Sequence, residues 1–161
     1  MSNKYAYEEF EKIYIRQSTK ILNLCRTYLG NEEDAKEAVQ NIFIKLLEKH
    51  ITFKDTNHET AWLCKTTRNH CLDVLKSSWH KKRVDMESVP ETSATSNNQD
   101  NHENAILKKA LNQLSIKQKE VIYLYYYEEY SIKEISKMLG RSQSTIQSQL
   151  AAGRKKLKEL I

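Results

Sequence analysis

The chain predicts an all-α protein of two small helical domains joined by a flexible acidic linker, and three observations carry that expectation. Three Gly and one Pro among 161 residues leave few points where a helix must break. Apolar residues recur at steps of three and four along several stretches, the period of an amphipathic helix. Composition then changes once, abruptly, over residues 84–104, where Ser, Thr, Asn and acids dominate and the single proline falls. That segment reads as a linker. It leaves an N-terminal domain over 1–83 and a C-terminal domain over 105–161, each with a modest core.

Residues 5–29 read as a first helix, with Phe10, Ile13, Tyr14, Ile21, Leu24, Cys25 and Tyr28 inward and Gly30 at its end. Asn31 is placed to cap the next, and Glu32, Glu33 and Asp34 load its first turn with charge that suits the helix dipole. On that second helix Ala35, Ala38, Val39, Ile42, Phe43, Leu46 and Leu47 face inward, while Glu37, Gln40, Asn41 and Lys45 stay outside. His50–Thr60 follows as a polar loop anchored by Ile51 and Phe53, either functional or a plain surface connection.

Residues 60–83 form the third helix. At 100° per residue, Leu63, Cys64, Thr67, Cys71, Val74 and Leu75 make the core stripe, and Trp62, Lys65, Asn69, Asp73 and Lys76 gather opposite. An indole beside lysines and an amide suits a single nucleic-acid strand, because bases stack on aromatic faces while lysines meet phosphates. The alternative is that Trp62 packs on a neighbouring helix or on the preceding loop. The run WHKKR at Trp79–Arg83 is a phosphate-contact candidate or a solvated helix end.

In the C-terminal domain Ile106, Leu107, Ala110, Leu111 and Leu114 mark one helix. Ser115 and Gln118 have capping-box spacing for another, through Val121, Ile122, Leu124 and Tyr125. Within the aromatic run YLYYYEEY some tyrosines must be core or wedge residues. YSIKEISKMLGRSQSTIQSQLAAGRKKL then reads as two helices around a tight turn. Ser131 and Glu134 form a capping box, Gly140 sits at the left-handed stop, and Ser142 caps the last helix. Ile146, Leu150, Leu157 and Leu160 face inward there, leaving Gln143, Ser144, Thr145, Gln147, Ser148 and Gln149 outside. This is a helix-turn-helix with a polar recognition helix suited to base edges, or else an ordinary helical hairpin. Arg154, Lys155 and Lys156 lie beyond the recognition positions, where they can reach the DNA backbone.

Charge supports a polyanionic partner. Residues 1–83 hold 15 Lys/Arg against 11 Asp/Glu, 84–104 hold 5 acids and no base, and 105–161 hold 11 against 5. Two basic domains on an acidic strap point first to nucleic acid. Three cysteines without CxxC spacing read as small core residues, and the histidines show no metal-ligand pattern. No nucleophile–base pair, metal cluster or phosphate loop is visible, so neither enzymatic activity nor a cofactor is expected. Without a membrane-length apolar run or a signal-peptide core, the chain is expected to be cytoplasmic and not membrane-inserted.

Three segments in order resemble the extracytoplasmic-function (ECF) type of bacterial RNA polymerase sigma factor. NEEDAKEAVQNIFIKLLEK is similar to its polymerase-docking helix and AWLCKTTRNHCLDVLK to its promoter-melting helix. LNQLSIKQKEVIYLYYYEEYSIKEISKMLGRSQSTIQSQLAAGRKKLKEL is similar to its C-terminal promoter-reading domain. The resemblance implies a promoter-specificity subunit that binds core RNA polymerase and promoter DNA, duplex and single-stranded, under the control of a separate anti-sigma factor. It implies that Asp34, Glu37, Gln40, Asn41 and Lys45 face the polymerase. The His50–Thr60 loop, with Phe53, would hold a flipped base, and Trp62, Lys65, Arg68, Asn69 and Lys76 would line or support the parted strand. Arg141, Ser142, Ser144, Thr145, Gln147, Ser148, Arg154 and Lys155 would meet the distant element. Asn41 stands where the family often has an acid, and Gln147 and Gln149 where it commonly has Lys or Arg. A free-standing helix-turn-helix regulator is the alternative, requiring paired half-sites and no polymerase.

Overall fold

The computed structural model describes residues 2–84 and 101–161. The acidic linker lies almost wholly outside the described residues, as do the side chains of the WHKKR run.

Helices α1 (Ser2–Leu29), α2 (Glu32–Lys49) and α3 (Thr56–Val84) make the N-terminal domain. Asn31 caps α2 as its position predicts, its side chain accepting the Asp34 N–H at 2.8 Å. The three helices enclose a core that includes Ile21, Leu24, Tyr28, Ile42, Phe43 and Leu63. Two residues expected inside are instead at its rim, Tyr14 44% exposed and Leu47 41% exposed. Tyr14 lies edge-on to Phe43 at 4.9 Å, so its ring covers the core from outside. The third helix also starts earlier than apolar periodicity suggests, at Thr56. Asp55 provides the reason: its carboxylate accepts the His58 N–H at 2.8 Å and its carbonyl the Glu59 N–H at 3.1 Å. Half of the expected loop is therefore the first turn of α3.

Helices α4 (Asn101–Asn112), α5 (Ile116–Ile122), α6 (Ile132–Leu139) and α7 (Gln143–Leu160) make the C-terminal domain, with a five-residue π-helix, Tyr123–Tyr127, after α5. Both expected capping boxes form, at Ser115/Gln118 and Ser131/Glu134. Gly140 ends α6 at φ 66°, a left-handed conformation costly for any residue with a Cβ. Leu114, Val121, Ile122, Leu124, Ile135, Ile146 and Leu150 form the core. Gly153 is buried in α7 because α5 presses on it, and a Cβ there would lie 3.0 Å from Ile122 Cγ1.

The two domains pack together. Ile116 and Tyr123 of the C-terminal domain lie against the N-terminal core, and Tyr123 also touches its own. Lys20 of α1 sits 4.9 Å from the Tyr130 ring centroid and 3.8 Å from the Glu128 carboxylate.

Candidate nucleic-acid interface

In the N-terminal domain the residues assigned to single-strand contact divide into three groups. Phe53 and Trp62 come together, their ring centroids 5.8 Å apart, with His58 edge-on to Phe53 at 5.3 Å. Both aromatic side chains are half-buried against the core, so Trp62 does pack on the preceding loop while keeping part of its indole in solvent. Beside this pair a cavity of about 420 Å³ opens between α1, the end of α2 and the loop, with Phe10, Leu46, Ile51, Thr52 and Phe53 in its wall.

Lys65, Asn69 and Lys76 are exposed along α3, which leaves their donors available. Arg68 is different. It is half-buried, and its Nε donates to Glu120 Oε2 at 3.0 Å, across to the other domain.

Glu59 fastens the start of α3 to α1 and so positions the loop. Its carboxylate accepts Arg16 Nε at 2.9 Å and Gln17 Nε2 at 2.7 Å. Burial pushes the Glu59 carboxyl up, but the hydrogen bonds from Arg16 and Gln17 and the Arg16 charge outweigh it, and the group titrates below its ordinary 4.5.

On α2, Glu37 and Gln40 are exposed, whereas Asp34, Asn41 and Lys45 are partly covered. Asp34 accepts from the Asn31 amide at 2.7 Å, and Lys45 lies 3.4 Å from His70 of α3. Burial, then the Lys45 charge, depresses the His70 pKa, which favours a neutral ring beside the ammonium.

In the helix-turn-helix, Ser142 caps α7 by accepting the Thr145 N–H at 3.1 Å, and the two hydroxyls are 2.8 Å apart. Ser142 and Thr145 are thus partly committed to the helix start, although exposed. Ser144, Gln147, Ser148, Arg154 and Lys155 also project into solvent. Arg141 does not. It pairs with the buried Glu120 and donates to Gln149 Oε1 at 2.9 Å.

Glu120 escaped the sequence reading. The signal was present: in IKQKEVIYL it stands four residues from both Ile116 and Leu124, on an apolar face where a lone acid needs partners.

These two domains correspond to known protein regions. Residues 13–81 match the model for sigma-70 region 2, and residues 104–157 the model for sigma-70 region 4. The chain belongs to the sigma-70 family. The matched segments flank the expected linker and together span most of the chain. Several curated relatives are named as ECF sigma factors. The chain is 26% identical over 154 residues to the ECF RNA polymerase sigma factor SigM of Mycobacterium tuberculosis, covering 94% of this chain and 76% of that one. It is 24% identical to the ECF sigma factor SigX of Bacillus subtilis, covering 94% and 83%. The sigma factor RpoE of Bartonella quintana, solved with the anti-sigma factor NepR, has the same fold, with a TM-score of 0.81 at 23% identity over 95% of this chain and 96% of that one. CnrH, solved with the cytosolic domain of CnrY, gives 0.71 at 20% identity over 96% and 88%. The chain is thus a promoter-recognising sigma subunit, and a free-standing helix-turn-helix regulator is not favoured. No helix among the described residues is long and apolar enough to cross a membrane.

Proposed function

We propose that the two domains of this sigma subunit grip different forms of promoter DNA, the C-terminal one a duplex and the N-terminal one a parted strand. The observation that carries this reading is the contrast between the surfaces. The outward face of α7 offers Ser144, Gln147 and Ser148, with Arg154 and Lys155 beyond them, as a major-groove reader requires. The N-terminal surface offers Phe53 in a cavity wall with Trp62 beside its ring, and Lys65, Asn69 and Lys76 farther along the Trp62 helix. A base swung out of the stack stacks on aromatic rings and offsets the few kcal/mol lost on unstacking.

The exposed stripe of α2 through Glu37 and Gln40, flanked by Asp34, Asn41 and Lys45, is the surface for core polymerase. Polymerase supplies the nucleotidyl-transfer chemistry, and the chain itself catalyses nothing. Gln147, an amide rather than a cation, can pair with an adenine edge and carries no phosphate-directed charge. An anti-sigma factor restrains the protein in the cytoplasm, a reading supported by the solved sigma–anti-sigma complexes of the same fold.

Co-purification with core polymerase, followed by run-off transcription, tests the whole assignment. Promoter-dependent transcripts that require the added chain are expected. Tight binding to palindromic duplex without polymerase, and no transcripts, would assign it to the free-standing regulators instead.

A further inference from the structure

Arg141 is the residue at which α5, α6 and α7 are tied together. It follows Gly140, the left-handed stop of α6, and precedes Ser142, the cap of α7. Its backbone is held from α6: the Arg141 N–H donates to the Ser136 carbonyl at 3.2 Å, and the Ser136 hydroxyl donates to the Arg141 carbonyl. Its side chain then forks. Nη2 meets Glu120 Oε1 on α5, and Nη1 donates to Gln149 Oε1 on α7 at 2.9 Å. Glu120 is fully buried, and its other oxygen accepts from the Tyr28 hydroxyl and Arg68 Nε. Of these three donors only Arg141 shares the domain of Glu120, and its side chain is 13% exposed.

We propose that Arg141 is a positioning residue of the C-terminal domain: it fixes the angle at which α7 leaves the turn, and so the aim of Ser144, Gln147 and Ser148, without itself touching DNA. This role rests on the reading of α7 as the duplex-reading helix. It replaces the expectation from sequence that Arg141 meets the distant element.

A guanidinium suits the task because its N–H groups form a rigid planar fork, which sets two acceptors on different helices at a fixed separation. A lysine ammonium is a point charge on a flexible stem and cannot do the same. The tie is also hard to release, since a buried carboxylate that loses a cationic partner is strongly destabilised. Gly140 and Ser142 set where α7 begins, but caps act on a few adjacent residues and leave its tilt against α5 open. Gln149 lies about two turns into α7, far enough along for a tie to α5 to fix that tilt. Base edges are read by side chains that must be held to within about 0.5 Å, whereas phosphate attraction tolerates misalignment. Loss of the tie therefore acts on sequence discrimination before it acts on overall affinity.

The test uses the full chain bound to core polymerase and a promoter library randomised at the distant element. Enrichment by the unaltered chain defines a best element, competition against a scrambled one gives a discrimination ratio, and a salt series counts phosphate contacts. The variants are Arg141→Gln, Arg141→Lys and the double variant Arg141→Gln/Gln149→Arg. Arg141→Gln is expected to lower the ratio roughly tenfold, the scale of one misaligned base contact, with an unchanged salt slope and helix content retained by circular dichroism. Arg141→Lys keeps the charge but not the fork and should lose most of the same ratio. In the double variant a guanidinium returns to Glu120 from α7, and most of the lost discrimination should return with it.

A salt slope lowered by about 1 in Arg141→Gln would show that Arg141 meets a phosphate directly and would overturn the positioning role. An unchanged ratio in Arg141→Lys would do so too, because charge alone would then suffice. A purely structural joint would lower the unfolding temperature of the variants and leave the discrimination of the folded molecules intact, which equally contradicts the proposal. If Arg141→Gln loses helix content, Arg141→Lys and the double variant decide by the same ratio, and a double variant no better than Arg141→Gln counts against the tie. An unaltered chain that enriches no element and yields no run-off transcripts would instead remove the sigma reading, and the role of Arg141 with it.

Discussion

The two domains present their proposed nucleic-acid surfaces in opposite ways. In the C-terminal domain the reading surface is a polar helix face whose start is set by caps, and only Arg141 is drawn aside. In the N-terminal domain the reading surface is half inside: Phe53 and Trp62 rest on the core and Arg68 reaches out of the domain. The difference suits the proposed ligands. A duplex presents edges that polar side chains meet from outside, whereas an unstacked base needs an apolar place to go. The cores differ to match. The C-terminal domain closes over one short cluster centred on Ile135, Ile146 and Leu150, while the N-terminal cluster extends along three longer helices.

Truncating the smaller core should break that contrast most severely. Ile146 is fully buried, and Ile146→Ala is expected to cost about 3 kcal/mol. Chemical denaturation should show early loss of the C-terminal domain, with duplex binding lost and polymerase binding retained. Uniform weakening of both domains would mean that they fold as one unit.

A charge in the N-terminal domain gives a smaller, pH-marked effect. Glu59→Gln should cost about 2 kcal/mol through its weakened contacts with Arg16 and Gln17, a magnitude typical of hydrogen bonds to charged groups. Because the folded Glu59 carboxyl titrates below its ordinary value, its stabilisation is fully present above the unfolded pKa and disappears as pH falls through the folded one. The wild-type advantage should therefore shrink below about pH 4. A variant difference that stays constant from neutrality into acid would contradict this role.

The cap at Ser131 is the mildest probe. Ser131→Ala removes the acceptor for the Glu134 N–H at 3.1 Å and should cost about 1 kcal/mol. Thermal unfolding monitored by circular dichroism is sufficient to detect it.

The boundaries written in local chemistry were legible in the chain. Asn31, Ser115, Ser131, Gly140 and Ser142 each act where their type predicts, because caps and left-handed stops depend on a few adjacent residues. The order of helices and most of the core followed from periodicity. Asp55 was missed as a helix start because His50–Thr60 was read by its polarity rather than by its capping residue. Tyr14 and Leu47 were misplaced because a helical wheel gives direction but not the edge of the neighbouring helix. The outward site residues Ser144, Gln147, Lys65 and Asn69 were legible for the same reason as the core, being its complement. Arg68 and Arg141 could not be placed, since their partner lies 52 and 21 residues away and only packing brings it near.

The division of labour between paired and parted DNA is tested most directly by permanganate probing of unpaired thymines in a promoter complex with core polymerase, footprinted in parallel at the distant element. Trp62→Ala should lose thymine reactivity while keeping the distant footprint, and Gln147→Ala should alter that footprint at particular base pairs while complexes that still form open normally. Loss of both signals together in Trp62→Ala, in step with lowered thermal stability, would show that Trp62 serves only the core.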